Sequence, residues 1–321
     1  MATSIELACE GTSALISPTG ASLRGLTVDD RPVVVAVGAF DGAVLAPWPN
    51  RIADGRFVFD GTVHRLPITE PERATALHGL VADSDWTVIE ANESSVRLGY
   101  ALEPTPGYPF PFALEVAYRL RDGGVQISAE ARNAGSNPAP FGFGFHPWLA
   151  PGAGASEAET VDDAQLVIPA EVWVDTDERL IPTEFRPFDD GTVIPADHDA
   201  DSAACIVCKD FRGLRTIGGT VLDDAFSSPR RGEGGWSRAR LRGSDDREIV
   251  IGMGPGFRSW QVCTGDGLGE DWVRRAIAIE PMTCPPNAFA AGTEGDDFDI
   301  VEPGARIAVE WSVSLLPNSA G

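Results

Sequence analysis

One short stretch combines an ionisable side chain with an unusual run of small residues. Over residues 141–146, phenylalanine and glycine alternate and the run ends in His146. Extended chain points alternate residues to opposite faces, so the three phenylalanines share one face and Gly142, Gly144 and His146 share the other. Glycine within a strand commonly marks a place where another group comes close to the backbone. We therefore expect a packed core on the phenylalanine face and a ligand pocket beside His146.

A second stretch repeats this pattern with a carboxylate. Over residues 276–280, two isoleucines share one face and two alanines share the other with Glu280. Because Pro281 follows and lacks a backbone donor, we expect strand pairing to end there and a pocket to open beside the carboxylate. A carboxylate and an imidazole on cleared sheet faces can form an acid and base pair. Taken alone, each has a structural explanation: a surface salt bridge for Glu280 and a hydrogen-bonded sheet corner for His146.

Three further stretches place polar side chains in apolar surroundings. Asn50 and Arg51 follow two prolines and a tryptophan, which would hold the arginine so that its donors point in a fixed direction. His78 precedes a glycine in an apolar segment. Asp223 and Asp224 stand between apolar residues, and neighbours in a strand point to opposite faces, so only one of the two can face a pocket.

The chain that must position these residues is patterned for strands. Polar and apolar residues alternate with a period of two over residues 113–120, 125–131 and 307–315, which is typical of antiparallel strands with one buried face. Turn signals such as Asp60-Gly61 separate the strands, and no stretch has the pattern of a long amphipathic helix. The sequence predicts an all-β protein, a large antiparallel β-sandwich that forms a single domain over residues 1–321.

The net charge of the chain argues against some classes of binding partner. The formal net charge is −23, with 48 acidic and 25 basic residues, and Lys209 is the only lysine. Such a surface repels nucleic acid and anionic membranes. Residues 1–11 lack the basic and apolar regions of a signal peptide, and no apolar stretch approaches the ~20 residues of a membrane span. We expect a cytoplasmic monomer or homodimer whose partner is a small molecule, with no nucleic-acid or membrane partner.

Neither the cysteines nor the acidic segments predict a metal centre. The five cysteines form no disulfide framework, and the Cys205 and Cys208 spacing has no second pair to complete a zinc site. Residues 189–201 are rich in aspartate around His198, but they lack the register of a calcium loop and are expected to form a solvated loop. His64 is also expected at the surface. We predict no metal and no cofactor.

Five motifs in this sequence occur in the order found in a known family. They are Asn50-Arg51-Ile52, His78-Gly79, Gly144-Phe145-His146-Pro147-Trp148, Asp223-Asp224-Ala225-Phe226, and Glu280-Pro281-Met282-Thr283 with Asn287-Ala288-Phe289. The chain thereby resembles the aldose 1-epimerase (galactose mutarotase) family over residues 46–289. The resemblance implies the large antiparallel fold called the galactose mutarotase-like supersandwich.

The resemblance also implies roles for individual residues. It makes His146 the general acid and Glu280 the general base, and it assigns Asn50, Arg51, His78 and Asp223 to sugar binding. Asp223 is preferred to Asp224 because it stands three residues before Phe226.

The implied reaction is the interconversion of the α and β anomers of a free aldohexose such as glucose or galactose. Carboxylate Glu280 would take the proton of the C1 hydroxyl while imidazolium His146 protonates the ring oxygen, and reclosure would reverse both roles. This chemistry requires no metal, redox cofactor or covalent nucleophile. Trp48, Trp148 or Trp260 could stack on the sugar, although core packing explains each equally well.

Two alternatives remain open at this point. A hexose-6-phosphate epimerase would need a cationic cluster for the phosphate. Candidate clusters are Arg230-Arg231, Arg238 with Arg240 and Arg242, and Arg274-Arg275. The other alternative is a non-catalytic sugar-binding module, which would not need a matched acid and base.

Overall fold

Most of the chain is extended. The computed structural model describes residues 3–152, 159–188, 206–291 and 297–316. The aspartate-rich residues 189–201, with His198, and Cys205 lie outside these ranges, so the predictions about them stay predictions. Within the ranges the backbone forms strands with only short helical turns, which confirms the predicted all-β class.

The strands of the described ranges are numbered in chain order. They are β1 (Ile5–Cys9), β2 (Thr12–Ser17), β3 (Ser22–Val28), β4 (Arg31–Val35), β5 (Val44–Leu45), β6 (Arg51–Ala53), β7 (Arg56–Phe59), β8 (Thr62–Arg65), β9 (Thr75–Leu77), β10 (Thr87–Ala91), β11 (Ser95–Leu102), β12 (Phe112–Arg121), β13 (Gly124–Asn133), β14 (Ala139–Phe141), β15 (Gly144–Phe145), β16 (Trp148–Leu149), β17 (Gln165–Val167), β18 (Ala170–Thr176), β19 (Pro182–Pro187), β20 (Arg215–Thr216), β21 (Asp223–Pro229), β22 (Ser237–Arg242), β23 (Glu248–Met253), β24 (Ser259–Cys263), β25 (Ile277–Met282), β26 (Asp299–Val301) and β27 (Arg306–Leu316). The helices are α1 (Ile206–Lys209) and α2 (Ala288–Ala291), with 3-10 turns at Pro71–Arg73, Val161–Asp163 and Glu233–Gly235. In the described ranges, none of these helices could cross a membrane.

Two large antiparallel sheets account for most of these strands. In the described ranges the first sheet has 12 strands and follows the order β1-β2-β3-β4-β16-β25-β24-β21-β18-β19, with β15 bridging β25 and β5. The second has nine strands in the order β10-β11-β12-β13-β27-β23-β22-β17-β20. The three alternating segments of the sequence fall in β12, β13 and β27, which are neighbours in the second sheet, so these predicted strands are confirmed.

The two sheets pack against each other around one hydrophobic core. Tyr118 of the second sheet reaches across and donates a hydrogen bond from its hydroxyl to the Ala21 carbonyl, 2.6 Å away. Phe145 of the first sheet packs on Trp311 of the second, with ring centroids 5.0 Å apart. Phe141, Phe143 and Phe145 are all fully buried, and each such ring contributes roughly 1.5–3 kcal/mol of burial free energy. The predicted core face of this stretch is confirmed.

Strand β25 is central in the first sheet and carries Glu280. On one side it pairs with β24 through Pro281, which lies opposite Trp260. The prediction that pairing ends at this proline is therefore wrong, because a proline removes one donor and does not by itself end a register. On the other side β16 pairs with Ala278 and β15 pairs with Met282, and the chain between these two short strands is outside the ladder. His146 lies in that interruption.

Candidate active site

His146 and Glu280 form a buried pair. The His146 Nε2 and Glu280 Oε1 atoms are 3.3 Å apart, and both side chains are almost fully buried. Among the described residues, the second polar atom of each, His146 Nδ1 and Glu280 Oε2, is buried without a hydrogen-bond partner. Buried polar atoms without partners are costly and uncommon. Two of them in one contact between an imidazole and a carboxyl group would suit a polar ligand that completes the hydrogen bonding.

The pair lies in a cavity of about 170 Å³. The six residues predicted to form a site all line it, namely Asn50, Arg51, His78, His146, Asp223 and Glu280. The other lining residues are Ala39, Phe40, Leu77, Trp148, Gln261, Cys263, Gly265, Gly267 and Leu268. The cavity is smaller than the ~300–1,000 Å³ pockets that hold drug-sized ligands, so it suits a smaller molecule.

The loop before β5 forms hydrogen bonds with His146 and lines one side of the cavity. The Gly42 amide donates to the His146 carbonyl, and the His146 amide donates to the Ala43 carbonyl, at 2.9 and 3.1 Å. The Phe40 ring packs on the rings of His78 and His146, with centroids 4.5 and 5.6 Å away. Phe40 has a positive φ of 52° and is partly exposed to solvent. This residue was not predicted, because no sequence pattern marks a single phenylalanine in a turn.

Asn50 and His78 are fixed by each other. The Asn50 backbone N–H donates to His78 Nδ1 at 3.2 Å, and the His78 backbone N–H donates to the Asn50 backbone carbonyl at 2.9 Å. Both residues have positive φ, 56° and 59°, a costly conformation for residues other than glycine that clusters at functional sites. Because Nδ1 accepts a hydrogen bond, the proton of the neutral His78 ring is assigned to Nε2, which makes that atom a donor.

Arg51 is held between two carboxylates. Its Nε and NH2 groups donate to the two oxygens of Glu70 at 2.8 and 3.0 Å, and NH2 lies 3.6 Å from Asp223 Oδ2. Gln261 donates to the other oxygen of Asp223 at 2.7 Å. Neither Glu70 nor Gln261 was predicted from the sequence. Gln261 could have been found only from the register that places it opposite Glu280.

The two neighbouring aspartates point to different environments. Asp223 lines the cavity. Asp224 is buried on the other side of β21, where it accepts hydrogen bonds from Trp173 Nε1 and Lys209 Nζ, each at 2.7 Å. This division follows from the alternation of side chains along a strand.

The glycines of the first stretch do not line the cavity. A Cβ atom on Gly144 would lie 2.5 Å from the Pro49 Cβ atom, and one on Gly142 would lie 2.7 Å from the Cys284 sulfur. The expectation that these glycines leave room for a ligand is wrong. They leave room for the protein's own chain, because Pro49 approaches the strand at the point where Asn50 and Arg51 enter the cavity.

Replacing Gly144 with valine should therefore affect stability as well as activity. We expect a loss of ~1–3 kcal/mol in the free energy of unfolding from overpacking against Pro49, with reduced turnover because Asn50 and Arg51 shift with it. Denaturant unfolding measures the first effect, and an assay of the anomer interconversion implied by the family resemblance measures the second. Gly213→Val is the matched control, since no atom lies within 4 Å of a Cβ at that position. Wild-type stability of Gly144→Val would contradict this explanation of the glycine.

The three tryptophans considered as stacking residues, and His64, lie in different surroundings. Trp48 and Trp260 belong to the hydrophobic core, whereas Trp148 lines the cavity with its ring 5.3 Å from His146. His64 is buried and stacks on Phe57 at 4.7 Å, so its predicted surface position is wrong. The hairpin of β7 and β8 places these two residues directly opposite each other.

The arginine clusters do not reach this cavity in the described ranges. Arg230 pairs with Glu171, Arg231 donates to backbone carbonyls, and Arg274 pairs with Asp162 and Asp266. Of the cationic side chains in these ranges, Arg51 alone lines the cavity. Within the same ranges no group of three or more His, Cys, Asp or Glu residues is arranged to hold a metal ion.

Burial changes the protonation of the central pair. It lowers the pKa of His146 to about 4. It also raises the pKa of Glu280 well above its usual value, and the charge of Asp223 adds to this increase. Both shifts favour a neutral pair with the proton on Glu280, whereas the sequence analysis expected a carboxylate and an imidazolium. Burial likewise lowers the pKa of His78, and the charge of Arg51 lowers it further, so this ring is neutral.

The fold matches that of solved mutarotase-like proteins. A GalM/aldose epimerase homologue from C. elegans superposes with a TM-score of 0.81 at 19% identity, over 98% of this chain and 99% of that chain. This likeness establishes the galactose mutarotase-like fold.

Sequence comparison gives the family. The aldose 1-epimerase family model matches residues 3–314. An Escherichia coli K12 protein called YihR, described as uncharacterized, is 31% identical over 90% of this chain and 87% of its own length. The aldose 1-epimerase of the same organism is 25% identical over 78% of this chain and 73% of its own length. The chain belongs to the aldose 1-epimerase family.

Proposed function

We propose that this protein is an aldose 1-epimerase that interconverts the α and β anomers of free aldohexoses such as glucose or galactose. The observation that carries the proposal is the buried pair of His146 and Glu280, 3.3 Å apart, with one unpartnered polar atom on each side chain among the described residues. Family membership supports the same reaction class.

The spacing of the pair suits the chemistry of an anomeric carbon. In a pyranose, the C1 hydroxyl oxygen and the ring oxygen are bonded to the same carbon, so an acid and a base that act on both must be adjacent. Glu280 as carboxylate takes the proton from the C1 hydroxyl, and His146 gives a proton to the ring oxygen as the ring opens. After rotation about C1–C2, the two residues exchange roles and the ring closes on the other face.

The surrounding residues would bind and orient the sugar. Arg51 and the Nε2 proton of His78 are donors for sugar oxygens, and they would stabilise negative charge that develops on the ring oxygen. Asp223 would accept hydrogen bonds from sugar hydroxyls, and Asn50 holds His78 and Arg51 in place. Phe40 and Trp148 offer apolar surface for the C–H face of the ring.

The neutral pair fits this cycle. A neutral His146 and a protonated Glu280 together hold one proton, as do an imidazolium and a carboxylate. The two forms differ by one proton transfer along the short contact between the side chains. The neutral form is the state that the cycle reaches after ring opening, and Arg51, which lowers the pKa of Glu280, favours return to the ionised form. The pair of His146 and Glu280 can therefore carry out both proton transfers as long as it holds a single proton.

A flat pH profile follows from this single proton. As pH falls, a second proton joins the pair only near the lowered His146 pKa of about 4. As pH rises, the proton is lost only above the raised pKa of Glu280. We expect kcat/KM, corrected for buffer-catalysed mutarotation, to stay nearly constant as pH decreases through the ordinary histidine range and to decrease only as pH approaches 4. An inflection near the ordinary histidine pKa of about 6.5 would show that His146 titrates as a solvated side chain.

The charge balance of the cavity favours a neutral sugar over a sugar phosphate. Arg51 is already paired with Glu70 and lies beside Asp223, and no other cationic side chain of the described ranges lines the cavity. A dianionic phosphate is bound by charge-assisted contacts with free cationic donors, each worth ~1.5–3 kcal/mol.

The test is a polarimetric assay of fresh α-glucose, α-galactose and α-glucose 6-phosphate. We expect faster mutarotation of a free hexose, with little effect of salt, because a neutral substrate is not steered by charge. A sugar phosphate that reacts about tenfold better, with a steep decrease in salt, would replace the free-sugar proposal. Sugar binding without any acceleration would indicate a binding module instead.

A further inference from the structure

Glu70 does not line the cavity, yet it makes the contacts that fix Arg51. Its carboxylate is buried and accepts hydrogen bonds from the Nε and NH2 groups of Arg51, at 2.8 and 3.0 Å. It also accepts from Thr75 Oγ1 at 2.6 Å and from Arg73 NH1 at 2.8 Å. Each carboxylate oxygen therefore accepts two hydrogen bonds, which leaves the group little freedom to rotate.

The backbone around Glu70 is equally constrained. The Glu70 amide donates to the Thr75 carbonyl at 3.1 Å, and the Thr75 amide donates back to the Glu70 carbonyl at 3.2 Å. Thr75 begins β9, which pairs with β6 so that Leu77 lies opposite Arg51. The next residue after β9 is His78. Glu70 thus joins the two segments that carry Arg51 and His78 to the cavity.

The electrostatics favour a permanent contact. Burial alone would raise the pKa of Glu70, but the hydrogen bonds from Arg51 and Thr75 keep it below its usual value. Glu70 is therefore ionised at neutral pH and paired with a guanidinium. An arginine side chain has ~2 kcal/mol of rotamer entropy. A bidentate carboxylate removes that freedom before the substrate binds, so the remaining donors of Arg51 are already placed.

We propose that Glu70 is a positioning residue for the sugar reaction: its carboxylate holds the Arg51 guanidinium so that the NH1 and remaining NH2 protons face the sugar oxygens. This inference rests on the epimerase function proposed above. Glu70 acts through Arg51 and takes no part in proton transfer.

A double-mutant cycle separates this role from a merely structural one. Glu70→Gln should lower kcat/KM about 10- to 100-fold in the wild-type background, since small misplacements of binding groups have effects of this size. In an Arg51→Met background the same change should lower it less than about threefold, because the group that Glu70 positions is gone. Equal losses in both backgrounds would overturn the proposal.

Asp245→Asn is the matched control. Asp245 accepts hydrogen bonds from the Nε and NH2 groups of Arg31, at 2.9 and 3.3 Å, and neither residue lines the cavity. We expect this variant to keep kcat/KM within about threefold of wild type for the folded fraction. A loss comparable with that of Glu70→Gln would show that breaking any buried arginine–carboxylate pair is sufficient, and would overturn the proposal.

An NMR measurement keeps the proposal testable if a variant is unstable. The Arg51 side-chain Nε–H signal, identified by its absence in Arg51→Met, should be resolved in the wild type at neutral pH and shifted or lost in Glu70→Gln. It should be unchanged in Asp245→Asn. An Nε–H signal that is unaffected by Glu70→Gln would overturn the proposal. A wild-type protein that does not accelerate mutarotation would instead contradict the proposed function, so the two failures are distinguishable.

Discussion

Replacing Glu280 with glutamine or His146 with asparagine is expected to lower kcat by ~10²–10⁴-fold, because each change removes one proton-transfer partner, equivalent to about 3–5 kcal/mol of barrier. Sugar affinity should decrease much less. Folding should be retained in Glu280→Gln, since burial already favours the neutral form of Glu280 and glutamine is a neutral group of the same shape. Polarimetry measures turnover, and saturation-transfer NMR with sugar measures binding.

Two controls test whether position or residue type causes the loss. His64 is a buried histidine that lies away from the cavity, and Glu248 pairs with Arg240 and Arg242 on the second sheet. We expect His64→Asn and Glu248→Gln to keep kcat within about threefold of wild type. Near wild-type turnover in either Glu280→Gln or His146→Asn would show that the acid and base are other residues.

The second large effect is expected at Arg51. Arg51→Met should lower kcat/KM by ~10²–10³-fold, the usual result of removing a donor that stabilises developing negative charge. Arg51→Lys should also be impaired, because an ammonium keeps the charge but cannot fill the two-oxygen contact with Glu70 and donate to the sugar as well. Steady-state mutarotation kinetics on the purified variants measure both losses.

Arg31→Met is the matched control for this change. Arg31 is buried to a similar degree and makes a similar two-point contact with Asp245. Its removal should decrease stability, since the half-buried Asp245 carboxylate loses its partner, while the folded protein keeps its activity. Equal kinetic losses in Arg31→Met and Arg51→Met would mean that destabilisation explains both.

Local patterns were sufficient to predict the class of fold. The alternation in β12, β13 and β27 reflects a rule that acts within each strand, so it is readable without knowing which strands are neighbours. The single-domain organisation over residues 1–321 remains our proposal, as does the cytoplasmic location.

The geometry of the site depends on contacts between segments that are distant in sequence. Glu70 lies in a loop and has no pattern of its own, and its partnership with Arg51 arises from the pairing of β6 with β9. Gln261 faces the cavity because β24 runs beside β25. Gly144 illustrates the same limit: the sequence indicates that something approaches the strand, but it does not say that the neighbour is Pro49.

The position of β25 in the middle of the first sheet has a consequence for how activity is lost on denaturation. Among the described strands, the outer strands of this sheet, β1 and β19, each have a neighbouring strand on one side only and can open locally at low cost. Glu280 and His146 lie among fully buried residues at the centre, where amide protons are expected to exchange only through global unfolding. Fraying of the sheet edges should therefore leave the two groups together. Heat or denaturant should then inactivate the protein in the same cooperative transition that unfolds it.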